Sequence, residues 1–263
     1  MGGLQNLGNT CFLNSILQVL FSLKVWNELL QPCTPTTIDL FIVEEYRKLY
    51  VMAQQEAVCP RGFIHALHKT ALHKKRVSFF PGQQDASECL QFLIECFHAA
   101  YTIPTPLFYG VVTSILWHEG VVVSTVQQPF FMIELPLMGN SLEECLQQYT
   151  SMEQLEEPWF QETTGKHIKV SKQLQFTTLP YYLCIVLKRF RNNQTKDNKH
   201  ISIPLQFDKY TLIGVVYHHG SCHSGHYTSM VKDPSWKHYD DLNVHEVNQP
   251  ISEDAYLLIF RKS

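Results

Sequence analysis

Charge is scarce in this sequence: 21 Lys+Arg and 24 Asp+Glu make up 17% of 263 residues and leave a net charge of −3. So sparse and balanced a set gives no basic footprint for a nucleic-acid backbone, and the short run His73-Lys74-Lys75-Arg76 does not supply one. Long apolar runs are also missing. Tyr181–Leu187 and Ala255–Phe260 fall far short of the roughly 18 residues a membrane-spanning helix needs, so no membrane partner is expected. No basic leader followed by an apolar stretch opens the chain, so a secretory signal is not expected either. The eight cysteines (11, 33, 59, 89, 96, 145, 184 and 222) include no CxxC pair. That spacing argues against the common structural zinc site and against a disulfide framework, and it suits reduced thiols in the cytoplasm or nucleus. Repeats and low-complexity tracts are absent.

What the sequence has is 45% apolar residues, ample for a buried core. Helical spacing dominates the first third. Leu13, Ile16, Leu17, Leu20, Leu23, Trp26 and Leu30 predict one helix over Cys11–Leu30, ended by the Pro32–Thr37 segment. Further helices are predicted at Ile38–Met52, at Gly62–His73 and from about Asp85. After about residue 105 the pattern turns to β-branched and aromatic runs: Tyr109–Leu116, Val121–Val126, Phe130–Leu135, Lys169–Phe176, Tyr181–Phe190, Leu212–His218, Tyr227–Lys232 and Tyr256–Arg261. One helix interrupts them, announced by the capping box Ser141-x-x-Glu144. The polar tract Arg191–His200 reads as a surface loop. Helices first and strands later predict an α+β domain with a mostly antiparallel sheet.

One cysteine stands in a reactive context. Gly8 and Asn9 permit a tight turn, and Cys11 follows where the first helix begins. Unpaired amides and the positive dipole end there favour thiolate, while Asn6 and the turn amides lie close enough to donate to an oxyanion. A thiolate needs a base and the base an orienter. His226 begins a strand, the turn Asp233-Pro234-Ser235 reverses the chain, and the returning strand brings Asp240 beside His226. Cys11 is nonetheless one of eight cysteines and His226 one of thirteen histidines. The residues alone give a cysteine–histidine hydrolase without a substrate. Asp85-x-x-Glu88 reads as a second capping box, its carboxylates sharing a helix face on which they can also meet a cation.

The stretch from Gly3 to Gln18 (Gly-Leu-Gln-Asn-Leu-Gly-Asn-Thr-Cys-Phe-Leu-Asn-Ser-Ile-Leu-Gln) resembles the cysteine box of the ubiquitin-specific proteases, a family of deubiquitinating enzymes. Gly220 to Tyr227 with Tyr239-Asp240-Asp241 resembles the family's histidine box. Gln83-Gln84-Asp85-Ala86-Ser87-Glu88, Leu187-Lys188-Arg189-Phe190 and Ala255–Phe260 fall in the expected order, so the likeness runs from residue 3 to about 261. It implies a papain-like core with a helical thumb to about residue 105 and a β-rich palm and fingers from about 106, as one catalytic domain over 1–263. It assigns Cys11 as nucleophile, His226 as base and then acid, Asp240 as its orienter, Asn6 as oxyanion donor and Asp241 as a contributor beside the triad. Asp85, Glu88, Phe190 and Tyr227 would line the channel for the ubiquitin tail.

The implied reaction is hydrolysis of the isopeptide bond after the C-terminal glycine of ubiquitin through a thioester, with no cofactor. Ubiquitin and ubiquitinated proteins are the expected partners of a monomer. A protease for another modifier with the same tail and an inactive ubiquitin-binding scaffold are the alternatives. The sequence departs from the family where many members carry finger cysteines that bind zinc. The segments Leu116–Gly120 and Trp159–Gly165 contain none, His118 and His167 make a poor ligand set, and no metal is expected. Trp117 and Trp159 are candidates to fill that space. Cys222 and His223, close to His226, read as ordinary loop residues.

Overall fold

The apolar spacing expected to give one helix over Cys11–Leu30 gives two, α1 (Cys11–Ser22) and α2 (Lys24–Leu29). They part at Leu23, whose backbone leaves the helical region at φ −79°, ψ 87°. Asn27 holds the break. Its amide donates to the carbonyls of Leu20 (2.9 Å), Phe21 (3.1 Å) and Leu23 (2.9 Å), adding to the backbone amides of Leu23 and Asn27 that the first and last of these already accept. Its Oδ1 accepts from the Tyr46 hydroxyl at 2.9 Å. The computed structural model describes the chain apart from residues 33, 77–81, 102, 192–194 and 223. Cys33, His223 and part of the 191–200 tract therefore lie outside the described residues.

The other helices start within a residue or two of their predicted positions. α3 (Ile38–Ala53) is capped by the Thr37 hydroxyl, which accepts from the Leu40 amide. α4 (Arg61–His73) and α5 (Ala86–Ala100) complete the helical part. α6 (Leu142–Tyr149) opens on Ser141, whose Oγ accepts from the Glu144 amide at 3.2 Å. The Glu144 carboxylate accepts from the Asn140 amide at 2.7 Å, one residue earlier than a capping box would have it.

The strands form two main sheets. β1 (Gly110–His118), β2 (Val121–Phe130), β4 (Glu153–Gln154) and β7 (Ser171–Thr178) make one in the order β2-β1-β7-β4. β5 (Trp159–Gln161) and β6 (Lys166–Ile168) form a separate hairpin. The larger sheet comprises β3 (Met132–Leu135), β8 (Tyr182–Leu187), β9 (Gln206–Phe207), β10 (Tyr210–Gly220), β11 (Gly225–Lys232), β12 (Trp236–Asp240), β13 (Asn243–Val247) and β14 (Ala255–Lys262). Its order is β13-β12-β11-β10-β14-β8-β3, with β9 on β10. Only β3–β8 is parallel among the described pairs. The fold is α+β, as the order of patterns predicts.

Helix α1 decides how the layers meet. Every residue from Cys11 to Phe21 is buried, because α1 lies between α5 and strands β10 and β11. One core joins the helices to the inner sheet face through Val216, Tyr227, Val231 and Ile259. A second core packs α6 on the opposite face against Trp236, Leu258 and Phe260. β8 is buried at all six positions, which explains its unbroken apolar run.

Two expectations need correction. The 191–200 tract is not simply a surface loop. The Lys196 ammonium is nearly fully buried and donates to Asp254 Oδ1 (2.8 Å) and to the His218 carbonyl. The buried Arg189 donates to the carbonyls of Ala255, Asp197 and Lys199, tying the tract to β14. His118 of the smaller sheet and His167 of the β5–β6 hairpin turn to backbone carbonyls, Nδ1 to Lys169 at 2.8 Å and to Pro158 at 3.5 Å. Trp117 and Trp159 are half-buried, each within its own hairpin.

Asn27→Ala removes the side-chain donor that three carbonyls share and the acceptor of the Tyr46 hydroxyl. The expected loss is about 1–3 kcal/mol, read as a lower urea midpoint at unchanged slope. An unchanged midpoint would mean that the α1–α2 break stands without this side chain.

Candidate active site

Cys11 is the first residue of α1 and is only 4% exposed. The turn before it is built around Asn6. Its Oδ1 accepts from the amides of Gly8 (3.0 Å) and Thr10 (3.1 Å) and from the Thr10 hydroxyl (3.2 Å). Gly8 and Asn9 both take positive φ, 94° and 57°, as the tight turn requires. The Cys11 sulfur faces backbone amides of Tyr227, Phe12 and Cys11 itself.

The predicted hairpin is present: Asp233 donates to the Ser235 carbonyl at 2.9 Å, and Val231 pairs with Lys237. It delivers Asp240 Oδ1 to His226 Nε2 at 2.6 Å. That contact commits Nε2 and leaves Nδ1 as the basic nitrogen. Asp241 lies farther from the ring, with Oδ2 at 3.9 Å from Nε2. Its carboxylate sits between two asparagines: Asn6 Nδ2 donates to Oδ2 at 2.9 Å and Asn14 Nδ2 to Oδ1 at 2.7 Å. Asp241 therefore steers the Asn6 amide rather than the histidine. His226, Asp240 and Asp241 are the one group among the described residues close enough to share a cation. Both Asp241 oxygens already accept from amides, so the set makes a poor ligand shell.

The electrostatics correct one expectation. Helix-start geometry predicts an activated thiolate, but burial pushes the Cys11 thiol above its ordinary value. The Tyr227 amide pulls it back, and the nearby Asp241 carboxylate pushes it up again. The balance of these effects favours the thiol over the thiolate.

Tyr227, whose amide faces the sulfur, also lines the first of two adjoining cavities. One, of about 330 Å³, is lined by Gln83, Asp85, Phe190, His218, Cys222 and Tyr227, among others. The next, of about 220 Å³, shares Asp85 and Phe190 and adds Glu88, Glu134, Lys188 and Tyr256. Asp85 is the N-cap of α5: Oδ1 accepts from the Ser87 and Glu88 amides, and Oδ2 accepts from the Tyr256 hydroxyl at 2.6 Å. Its oxygens are committed, whereas Glu88 is exposed and turned to the cavity. Phe190 and Tyr227 meet His218, with ring centroids 5.0 and 4.7 Å away, and each also packs on Tyr256.

Sequence reasoning missed His218, Tyr256, Asn14 and Gln83. Gln83 spans from the helical part to the sheet, donating to the Gly225 carbonyl (2.8 Å) and accepting from the Gly225 amide (3.2 Å). Gly225 must be glycine there, since a Cβ would lie 2.1 Å from His218 Nε2. Cys145, inside α6, accepts from the Gly139 amide at 3.2 Å and is walled into the second core.

The family model described as ubiquitin carboxyl-terminal hydrolase matches residues 2–260. Among curated proteins, ubiquitin carboxyl-terminal hydrolase 23 of Arabidopsis thaliana is 27% identical over 98% of this chain and 35% of its own length. Ubiquitin carboxyl-terminal hydrolase 51 of Mus musculus is 27% identical over 99% of this chain and 51% of its own. The chain thus spans about a third to a half of these relatives. Among solved structures, the SAGA Ubp8/Sgf11/Sus1/Sgf73 DUB module bound to ubiquitin aldehyde superposes with a TM-score of 0.84 at 26% identity. That match covers 100% of this chain and 70% of that one.

Two pH experiments test the electrostatics. Alkylation of Cys11, followed by peptide mass mapping, is expected to keep accelerating above pH 8. A rate that levels off below pH 7 would mean an ionised thiolate at rest. The buried His218 is held neutral, its pKa lowered to about 4 by burial and by Lys196. The unfolded chain therefore takes up that proton first, and stability is lost as pH falls from about 6.5 to about 4. The slope expected from this group is at most about 1.4 kcal/mol per pH unit, and His218→Asn should flatten the acid limb of the stability curve by that amount.

Proposed function

The chain belongs to the ubiquitin carboxyl-terminal hydrolase family, and from that premise we propose that it hydrolyses the bond after the C-terminal glycine of ubiquitin through a thioester on Cys11. The observation that carries this reading is the meeting of three parts at one end of a channel: the head of α1, the His226–Asp240 pair at 2.6 Å, and the Asn6 amide.

In this mechanism His226 accepts the Cys11 proton at Nδ1 as the sulfur attacks the glycine carbonyl. Asp240 on Nε2 stabilises the imidazolium that forms. The oxyanion is met by the Asn6 amide, whose second hydrogen is free of Asp241, and by amides at the start of α1. The imidazolium then protonates the departing lysine amine. Water, deprotonated by His226, opens the thioester and releases ubiquitin. The channel suits a Leu-Arg-Gly-Gly tail: aromatic walls at Phe190, Tyr227 and Tyr256 next to the nucleophile, and the carboxylates of Glu88 and Glu134 farther out for an arginine. Seven described cysteines are free, in keeping with a reducing cytoplasmic or nuclear setting. A monomer remains our working assumption for the free chain.

The test uses ubiquitin carrying a C-terminal electrophile, a matching probe of a two-lobed modifier with the same tail, and a fluorogenic ubiquitin substrate. A ubiquitin adduct on Cys11, lost in Cys11→Ala, is expected. Preference for the other probe would move the substrate to that modifier, and no adduct with either from folded protein would leave a binding scaffold. Asp240→Asn should lower kcat about 10²- to 10⁴-fold. Glu88→Lys should lower kcat/KM about tenfold or more, mostly through KM.

A further inference from the structure

Helix α1 and strand β11 carry Cys11 and His226 at one end, pack against each other, and meet again at their other ends around a separate cavity. α1 has 12 residues, so this place is roughly 18 Å from Cys11 along the helix. The cavity measures about 180 Å³. Its floor is the large sheet, where Arg261 stands in register between Tyr182 of β8 and Thr211 of β10. Lys232 ends β11, and Asp233 and Pro234 of the following turn close one side. Lys24, just past the end of α1, closes the other.

Three exposed cationic residues, Lys24, Lys232 and Arg261, thus line one small space whose lining holds a single carboxylate, Asp233. Asp233 meets Lys24 at 3.4 Å. Neither Lys232 nor Arg261 has an ion pair among the described residues. Glu28, one turn along α2, is within electrostatic reach of the Tyr182 hydroxyl, so it too faces this region. The Tyr182 hydroxyl accepts from the Val25 amide and forms one wall of the cavity. Thr211 adds a hydroxyl, while Ile213 and Pro234 supply apolar surface that weakens solvent screening.

We propose that this cavity binds a phosphate-type oxyanion, as the free ion or as a phosphomonoester, bridging Lys24 of the helical part to Lys232 and Arg261 of the sheet. Like charges gathered without enough counter-charge repel one another, and a dianion of this size converts the repulsion into charge-assisted hydrogen bonds. The Arg261 guanidinium supplies the two-pronged geometry that a tetrahedral oxyanion matches. Asp233 competes for Lys24 and sets the affinity. The site shares no lining residue with the channel, so occupancy does not obstruct it. It would tie together the far ends of the two elements on which Cys11 and His226 are mounted.

Thermal unfolding of the whole chain tests this, with inorganic phosphate, O-phosphoserine and sodium chloride compared at matched ionic strength. Phosphate is expected to raise the midpoint saturably, by about 3–6 °C at ten times its dissociation constant. The rise should vanish in Lys232→Gln/Arg261→Gln and occur at lower phosphate in Asp233→Asn, each judged against its own chloride baseline. An equal rise with O-phosphoserine would identify the phosphomonoester as a ligand, and a rise with phosphate alone would identify the free ion. A midpoint that responds to phosphate no more than to chloride would overturn the proposal. So would a double variant that keeps the full rise.

Discussion

Helix α1 has no exposed face, and the site is referred to it. A helix with one wet side can roll or slide by fractions of a turn at little cost. α1 cannot, because its polar side chains are buried with the rest. Asn14 donates to Asp241 and to the Leu4 carbonyl, Gln18 donates to the Gly2 carbonyl, and Ser15 turns back to its own helix. The Asn14 and Gln18 amides would be left as orphaned buried donors if α1 rotated, at about 1–3 kcal/mol apiece. The apolar contacts hold α1 in the core, and the amides fix its rotation. Cys11 inherits both constraints. The same amides also fasten the N-terminal segment that leads to Asn6, so nucleophile and oxyanion donor share one frame.

The charges around that frame are arranged for a reaction rather than for a reactive resting state. Burial and, to a lesser extent, a neighbouring carboxylate raise the thiol's pKa, against the pull of backbone amides. Ionisation must come from proton transfer to His226, whose other nitrogen is held by Asp240. The second histidine of the channel, His218, is kept neutral by burial and by Lys196, so it serves as an aromatic surface and adds no charge where the tail would pass. Lys196 in turn is neutralised by Asp254. Burial is the larger cause of the ring's neutrality, and the lysine, bonded to the same residue's carbonyl, adds to it.

Much of this was legible in the sequence, and the boundary of legibility has a physical reason. Helix phase, N-caps at Thr37, Asp85 and Ser141, the positive-φ turn at Gly8-Asn9 and the 226–240 hairpin all depend on residues close together in the chain. The break at Leu23 was not legible, because Asn27 replaces helix amides with a side chain and leaves the apolar spacing intact. Tyr256, Asn14 and Gln83 were missed because their partners lie 171, 227 and 142 residues away. β13 was missed because Asn-Val-His-Glu-Val is an edge strand with little burial, and burial is what makes a strand readable. The thiolate expectation failed on the same ground: a local dipole argument cannot see the tertiary burial that outweighs it.

The adjacent pair Asp240 and Asp241 shows how one backbone feature separates two chemical roles. Successive residues of a strand point to opposite faces, and β12 ends at Asp240 with its side chain toward His226. Asp241 then enters the left-handed region at φ 51°, and its backbone carbonyl accepts from the Leu4 amide at 2.9 Å. That contact draws the residue under the N-terminal segment and aims its carboxylate at Asn6 and Asn14. The two carboxylates are therefore not interchangeable. In the proposed mechanism one would stabilise positive charge on the imidazole, and the other would position the amide that receives negative charge on the substrate. Moving the turn by one residue would exchange the faces, leaving the base without its orienter and Asn6 without its anchor. The spacing of the pair, rather than its net charge, is what the chemistry requires.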